Sequence, residues 1–206
     1  MILDQLLSLS GPLTGGPRCH DWTDLAATDF ICHPMKFPGV LSAAECAEIA
    51  RLGENGSPVT AGLTRPVEGY RKGGTRLLPL TSESKWLYER VRTLLLQVNQ
   101  WYRYEITAMV DSLLYCEYPV NGQFEWHVDC GETPTSTRKI SLSLQISDPT
   151  DYDGGGLEFA HYGELKESRR IGTAIAFPAF VHHRVAPVTR GMRRSLVAWA
   201  HGPVFR

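Results

Sequence analysis

The chain has 206 residues, of which 43% are hydrophobic and 21% charged, enough for a packed core in one domain. Its formal charge of −1 gives no reason to expect nucleic acid or an anionic membrane surface as a partner. No apolar run reaches the roughly 18 residues of a transmembrane candidate, and the apolar start "MILDQLLSLSGPLTGG" carries Asp4 and lacks a basic leader, so a cytoplasmic protein is expected.

In chain order, residues 1–40 are rich in Gly, Pro and Thr and read as an arm with a short leading helix. "SAAECAEIARLG" then opens with Ser42 and Glu45 at capping-box spacing, and Cys46, Ile49 and Leu52 recur at helical spacing before Gly53. Residues 54–80, broken by glycines and prolines, read as a loop or broken hairpin. "SKWLYERVRTLLLQVNQWY" is the strongest helix, with Trp86, Leu87, Val91, Leu94, Leu95 and Val98 on one apolar stripe that reads as core packing.

From about residue 104 the pattern changes to short β-branched and aromatic runs. These are "EITAMVDSLLYCEY", "GQFEWHVD", "RKISLSLQIS", "GGLEFA", "IGTAIAFPAF", "HRVAPV" and "RRSLVAWAHG", separated by turn chemistry such as "PVNG" and "DPTDYDGGG". Helices followed by many strands predict an α+β, mainly β fold, with helices packed on one face of a sandwich or barrel. Cys19, Cys32, Cys46, Cys116 and Cys130 form no CxxC pair, and an odd count argues against a closed disulfide framework. Cys19-His20 and Cys32-His33 are too widely spaced for a zinc finger and read as ordinary residues of a reducing compartment.

The chemistry concentrates in two places. In "GQFEWHVDCG", His127 and Asp129 stand two residues apart, which on a strand puts them on one face, with Trp126 on the other. In "FPAFVHHRVAPVTRGMRRSLVAW", only one of the adjacent His182 and His183 can face inward. Choosing His183 puts Val185 and Pro187 on its face and leaves Arg184 and His182 outside. Two imidazoles and one carboxylate suit one face of an octahedral metal, a set that favours iron weakly over zinc. Arg193 opens an apolar strand with Ser195, Val197 and Trp199 on its face, and an arginine aimed into a barrel needs an anionic partner. Arg190 and Arg194 read as solvated.

HxD at 127–129, His183 in "HRVAPV" and Arg193 in "GMRRSLVAW" together resemble the Fe(II)/2-oxoglutarate-dependent dioxygenases, nearest to the prolyl 4-hydroxylase-like branch. "YPVNGQFEWHVD" resembles that branch's approach to its first metal ligand, and the likeness runs over about 110–203, with a weaker echo in "FPGVLSAAECAEI". The resemblance implies a double-stranded β-helix, or jelly-roll, as one domain over 1–206: arm and helices at 1–104, catalytic core at 105–206. It further implies His127, Asp129 and His183 as iron ligands and Arg193 as the anchor of the distal 2-oxoglutarate carboxylate. Tyr118, Gln145 and Ser195 would be further cosubstrate contacts. The implied cofactors are Fe(II), 2-oxoglutarate and O₂, with ascorbate as an accessory reductant.

The implied activity is hydroxylation of an unactivated C–H, with release of succinate and CO₂. The substrate it suggests is a prolyl or other residue in a protein or peptide, with a free amino acid or natural product as the alternative. A metal-dependent hydrolase on a similar barrel would not need Arg193, and a non-catalytic binding barrel is the third reading. Substrate-facing pieces are expected in 54–80 and in "CGETPTSTR", where Arg65, Tyr70, Arg71 and Arg76 would suit an acidic or carboxylate-bearing substrate.

Overall fold

A computed structural model of the chain describes residues 32–59 and 69–205. The leading helix expected in the arm, Cys19, His20 and Arg65 lie outside them. Helix α1 (Ala43–Glu54) begins as expected: Glu45 N–H donates to Ser42 Oγ at 3.2 Å and Ser42 N–H donates to Glu45 Oε2 at 2.8 Å. Such a box stabilises the helix start by about 1 kcal/mol. Gly53 lies in the last turn of this helix, where a Cβ would stand 2.4 Å from the Tyr115 ring. The glycine serves a close approach of helix to sheet. Helix α2 (Lys85–Tyr102) buries Leu87, Val91, Leu94, Leu95 and Val98, while Trp86 at the edge of the stripe is half-buried.

The strands are β1 (Met35–Phe37), β2 (Ser57–Pro58), β3 (Arg71–Lys72), β4 (Gly74–Leu78), β5 (Leu113–Tyr118), β6 (Gln123–His127) and β7 (Arg138–Gln145). They continue as β8 (Tyr152–Gly154), β9 (Leu157–Phe159), β10 (Gly163–Glu164), β11 (Ala174–Pro178), β12 (His183–Val185), β13 (Val188–Gly191) and β14 (Arg193–His201). Seven form one antiparallel sheet in the order β1-β11-β7-β14-β5-β4-β2, five another in the order β10-β9-β12-β6-β3, and β8 pairs with β13. The described part of 54–80, residues 54–59 and 69–80, is therefore more ordered than its glycines suggested. β4 is a full strand paired along β5 from Gly74↔Glu117 to Leu78↔Leu113. "HRVAPV" likewise divides into β12 and β13, and Pro187 lies exposed between them.

Two apolar clusters fill the molecule. The first joins α1 and α2 to one face of the large sheet, through residues such as Ile49, Leu87, Leu95, Tyr115, Leu142 and Leu196. The second joins the other face to the five-stranded sheet, through Leu114, Phe159, Phe177, Val185 and Trp199. β5 shows the alternation directly, with Leu113 and Tyr115 in the first cluster and Leu114, Cys116 and Tyr118 in the second. Among the described residues no helix is long and apolar enough to cross a membrane.

Candidate metal centre and active-site cavity

Between the two sheets lies a cavity of about 980 Å³, lined on one side by the inward face of β14: Arg193, Ser195, Val197 and Trp199. That is the set predicted to share a face. From the other sheet come His127, at the end of β6, and His183, at the start of β12, which are directly opposite each other in the antiparallel ladder. His183 is 5% exposed and His182 exposed, so the inward choice between the neighbours is His183. Trp126 points outward, 38% exposed beneath the Arg184 guanidinium.

Asp129 differs slightly from expectation. β6 stops at His127, and Asp129 sits just past it, its backbone N–H donating to Ala179 O at 2.8 Å. The turn is stitched to the segment after β11, and the carboxylate still returns to the imidazoles. Asp129 Oδ1 is 3.8 Å from His127 Nε2 and Oδ2 is 3.6 Å from His183 Nε2. The three donor atoms lie within 4.8 Å of one another, the one such group among the described residues.

Each imidazole is held by its other nitrogen. His127 Nδ1 lies 2.6 Å from Glu125 O and His183 Nδ1 2.9 Å from Val181 O, so the proton sits on Nδ1 and the Nε2 lone pair faces the shared centre. Burial first, and then the neighbouring His183, push the His127 imidazole down to about 4, so it stays neutral and able to ligate. Burial would raise the Asp129 carboxyl. His183, His127 and the hydrogen bond from Ser141 Oγ at 2.6 Å outweigh it and hold the group ionised, below its usual range. Two imidazoles and one carboxylate, pre-aimed at one point, fit Fe(II).

Arg193 is 4% exposed and forms no ion pair with a carboxylate among the described residues; its Nη1 donates to Ser195 Oγ at 3.5 Å. Its guanidinium stands 5.6 Å from the Tyr118 ring, opposite which Arg193 is registered on β14. Gly155, at φ +62°, admits it: a Cβ there would lie 3.1 Å from Arg193 Cδ and 2.8 Å from Val188 Cγ2. Gln145 does not line the large cavity. It lies behind Arg193, its Nε2 donating to Tyr152 Oη at 3.0 Å and Ser147 O at 3.2 Å.

Residues 113–201 match the profile of the 2OG-Fe(II) oxygenase superfamily. A PKHD-type hydroxylase of Synechococcus sp. (strain JA-2-3B'a(2-13)) is 30% identical over 166 residues, covering 78% of this chain and 74% of that relative. This chain belongs to the 2OG-Fe(II) oxygenase superfamily. A PKHD-type hydroxylase of Xylella fastidiosa (strain 9a5c) is 41% identical over 98 residues, 42% of this chain, and the match spans only 43% of that relative's length. Among solved structures, a Trichoplax adhaerens prolyl hydroxylase in complex with a hypoxia inducible factor oxygen degradation domain peptide fragment has a TM-score of 0.69. It is 16% identical, with 89% of this chain and 94% of that one covered, so the two share the jelly-roll fold.

The superfamily's cofactors are Fe(II), 2-oxoglutarate and O₂. Further groups near the candidate metal centre lie outside the sequence motifs. Ser141 orients Asp129, and Arg138 bonds Asp111 at 2.7 Å while its guanidinium lies 3.7 Å from the Trp199 ring. The signal for the first was present: in "RKISLSLQIS", Ser141, Ser143 and Gln145 alternate with Ile140, Leu142 and Leu144. A strand buried on both faces yet polar on one marks a wall of a site.

Proposed function

We propose that this chain is an Fe(II)- and 2-oxoglutarate-dependent dioxygenase that hydroxylates an unactivated C–H of a prolyl or other residue in a protein or peptide. One observation carries the reading. The donor atoms of His127, Asp129 and His183 converge within 4.8 Å in a cavity that also holds a buried arginine without a carboxylate partner among the described residues.

In this reading the three convergent side chains hold the iron. Arg193 takes the distal carboxylate of 2-oxoglutarate on its planar fork, and Ser195 sets the guanidinium's orientation. Tyr118 offers its hydroxyl to the bound acid from the facing position on β5. Gln145 acts from behind, holding Tyr152, which is itself hydrogen-bonded with Arg193. When bound, iron and cosubstrate supply the oxidising chemistry, with succinate and CO₂ as co-products. Leu157, Phe177 and Val185 give the cavity an apolar wall that keeps water from the reacting carbon. β1, from the N-terminal part, closes the edge of the same sheet that β14 crosses, which supports a single catalytic domain over 1–206.

The peptidyl substrate is supported by the Trichoplax neighbour, whose structure holds a peptide, and by the hydroxylase names of the curated relatives. The test is succinate formation from 2-oxoglutarate with Fe(II), ascorbate and O₂, with and without a proline-rich peptide mixture. Peptide-stimulated succinate is the expected result. No turnover, with no 2-oxoglutarate-dependent absorbance band from the anaerobic Fe(II) protein, would overturn the reading in favour of a hydrolase or a binding barrel.

A further inference from the structure

Three arginines line the cavity, and they are not in the same state. Arg138 is neutralised by Asp111, and Arg193 faces the position assigned to the cosubstrate. Arg71 remains. It lies on β3, at the edge of the five-stranded sheet, registered opposite Phe124 of β6. Its guanidinium stands 4.5 Å from the centroid of the Phe124 ring, and that ring stacks on His127 at 3.6 Å. A full positive charge thus sits one aromatic ring from a candidate iron ligand.

No acidic side chain among the described residues neutralises it. Among the described residues Arg71 forms no ion pair with a carboxylate; Nη2 donates to the Cys116 thiol at 3.3 Å, and Nε is buried with no partner. Burial works against the charge, but Tyr118, Cys116 and Asp129 outweigh it and raise the guanidinium above its ordinary value. Arg76, the other arginine expected to face substrate that lies among the described residues, is already bound to Glu117 at 2.7 Å. A buried cation without a counter-ion is costly to maintain, and the cost is offset when a ligand brings the anion.

2-Oxoglutarate does not need this group. It has two carboxylates, one for Arg193 and one for the metal. The cavity lining contains no lysine, and Arg71 is the one arginine that the five-stranded sheet contributes to it. One guanidinium fork matches a monoanion of planar geometry, whereas a phosphate dianion would call for further donors.

We propose that Arg71 binds a carboxylate of the primary substrate, so that the residue hydroxylated either neighbours an acidic side chain or carries a free α-carboxylate. This rests on the hydroxylase reading above and narrows its substrate class. Tyr70 and Phe124, packed edge to face at 5.7 Å beside Arg71, supply the apolar contact for the rest of that residue.

The experiment compares acid and amide members of three probe pairs. They are peptides with proline beside Asp or Glu against Asn or Gln, peptides ending in free proline against the prolinamide, and free L-proline against prolinamide. Binding to the Fe(II), 2-oxoglutarate-loaded protein is measured by calorimetry without O₂, and stimulated succinate formation with it. In at least one pair the acid should bind about 30-fold more tightly than the amide, as expected for one partly buried charge-assisted contact. The pair that responds identifies the source of the carboxylate. In Arg71→Gln that ratio should fall to about 1, with the KM for 2-oxoglutarate changed less than about twofold, and Arg71→Lys should recover part of it.

The wild-type comparison stands even if a variant fails to fold. If no acid binds better than its amide while succinate still forms, the Arg71 assignment falls and the hydroxylase reading survives. A raised KM for 2-oxoglutarate in Arg71→Gln, with the acid-to-amide ratio intact, would make Arg71 a cosubstrate residue and overturn the proposal. Loss of the 2-oxoglutarate absorbance band in the wild type would instead strike the hydroxylase reading itself.

Discussion

The two faces of the seven-stranded sheet are built from the same strands and bury side chains equally well, yet they follow different rules. Toward the helices β7 presents Ile140, Leu142 and Leu144, and β14 presents Leu196, Ala198 and Ala200. Toward the five-stranded sheet the same strands present Ser141, Ser143 and Gln145, and Arg193, Ser195 and Trp199. The first face needs only volume and apolar surface. The second keeps polar groups out of water, and each costs stability unless a partner satisfies it. The contrast teaches that the helix-side face holds the sheet together while the cavity face spends part of that stability on aiming ligands.

Substitutions can break this contrast, and the largest effect belongs to the cavity side. His183→Ala should abolish Fe(II) binding, measured as bound metal and as the anaerobic 2-oxoglutarate absorbance, whereas His182→Ala should leave both intact. The reverse outcome would mean that β12 is displaced by one residue. Leu142→Ala, on the helix side, should cost about 3 kcal/mol in denaturant unfolding, because the side chain is fully buried. The folded fraction should keep its KM for 2-oxoglutarate, and a large change there would show that the two faces are not separable.

Arg193→Ala should raise that KM about 100-fold, roughly 2.7 kcal/mol, with iron still bound. An unchanged KM would remove Arg193 from the cosubstrate site. Ser141→Ala should weaken Fe(II) about tenfold, since it frees the carboxylate that its hydroxyl fixes at 2.6 Å. Metal titration reads this, and an unaltered affinity would make the hydroxyl a packing group only. The smallest effect is expected for Ser42→Ala, about 1 kcal/mol of stability from the lost cap, with kinetics unchanged.

The reach of the sequence follows the same division. His127, His183 and the Arg193 face were legible because strand alternation makes a polar group on an inward position conspicuous. The α1 and α2 boundaries were legible from a capping box and an apolar stripe. β4 was not, because Gly73 and Gly74 beside a Pro-rich stretch resemble a loop, and only pairing along β5 makes "GTRLL" a strand. The reason for Gly53, the Tyr115 ring against the helix backbone, was not legible because it is a contact between residues far apart in the chain. Asp129 fell just outside its expected strand for a similar cause, the tether to Ala179. Arg71 stood out from Arg76 only when Glu117 was found paired with the latter.

The ladder that sets His183 opposite His127 also has a consequence in time. As the polypeptide emerges from the ribosome, His127 and Asp129 are available long before β12 exists, and two donors on one short turn make a weak chelate. The third donor arrives only with β12, which docks between β6 and β9. A metal site that needs all three donors would therefore be completed only by a long-range pairing, and a half-made chain would offer passing copper or zinc little to hold.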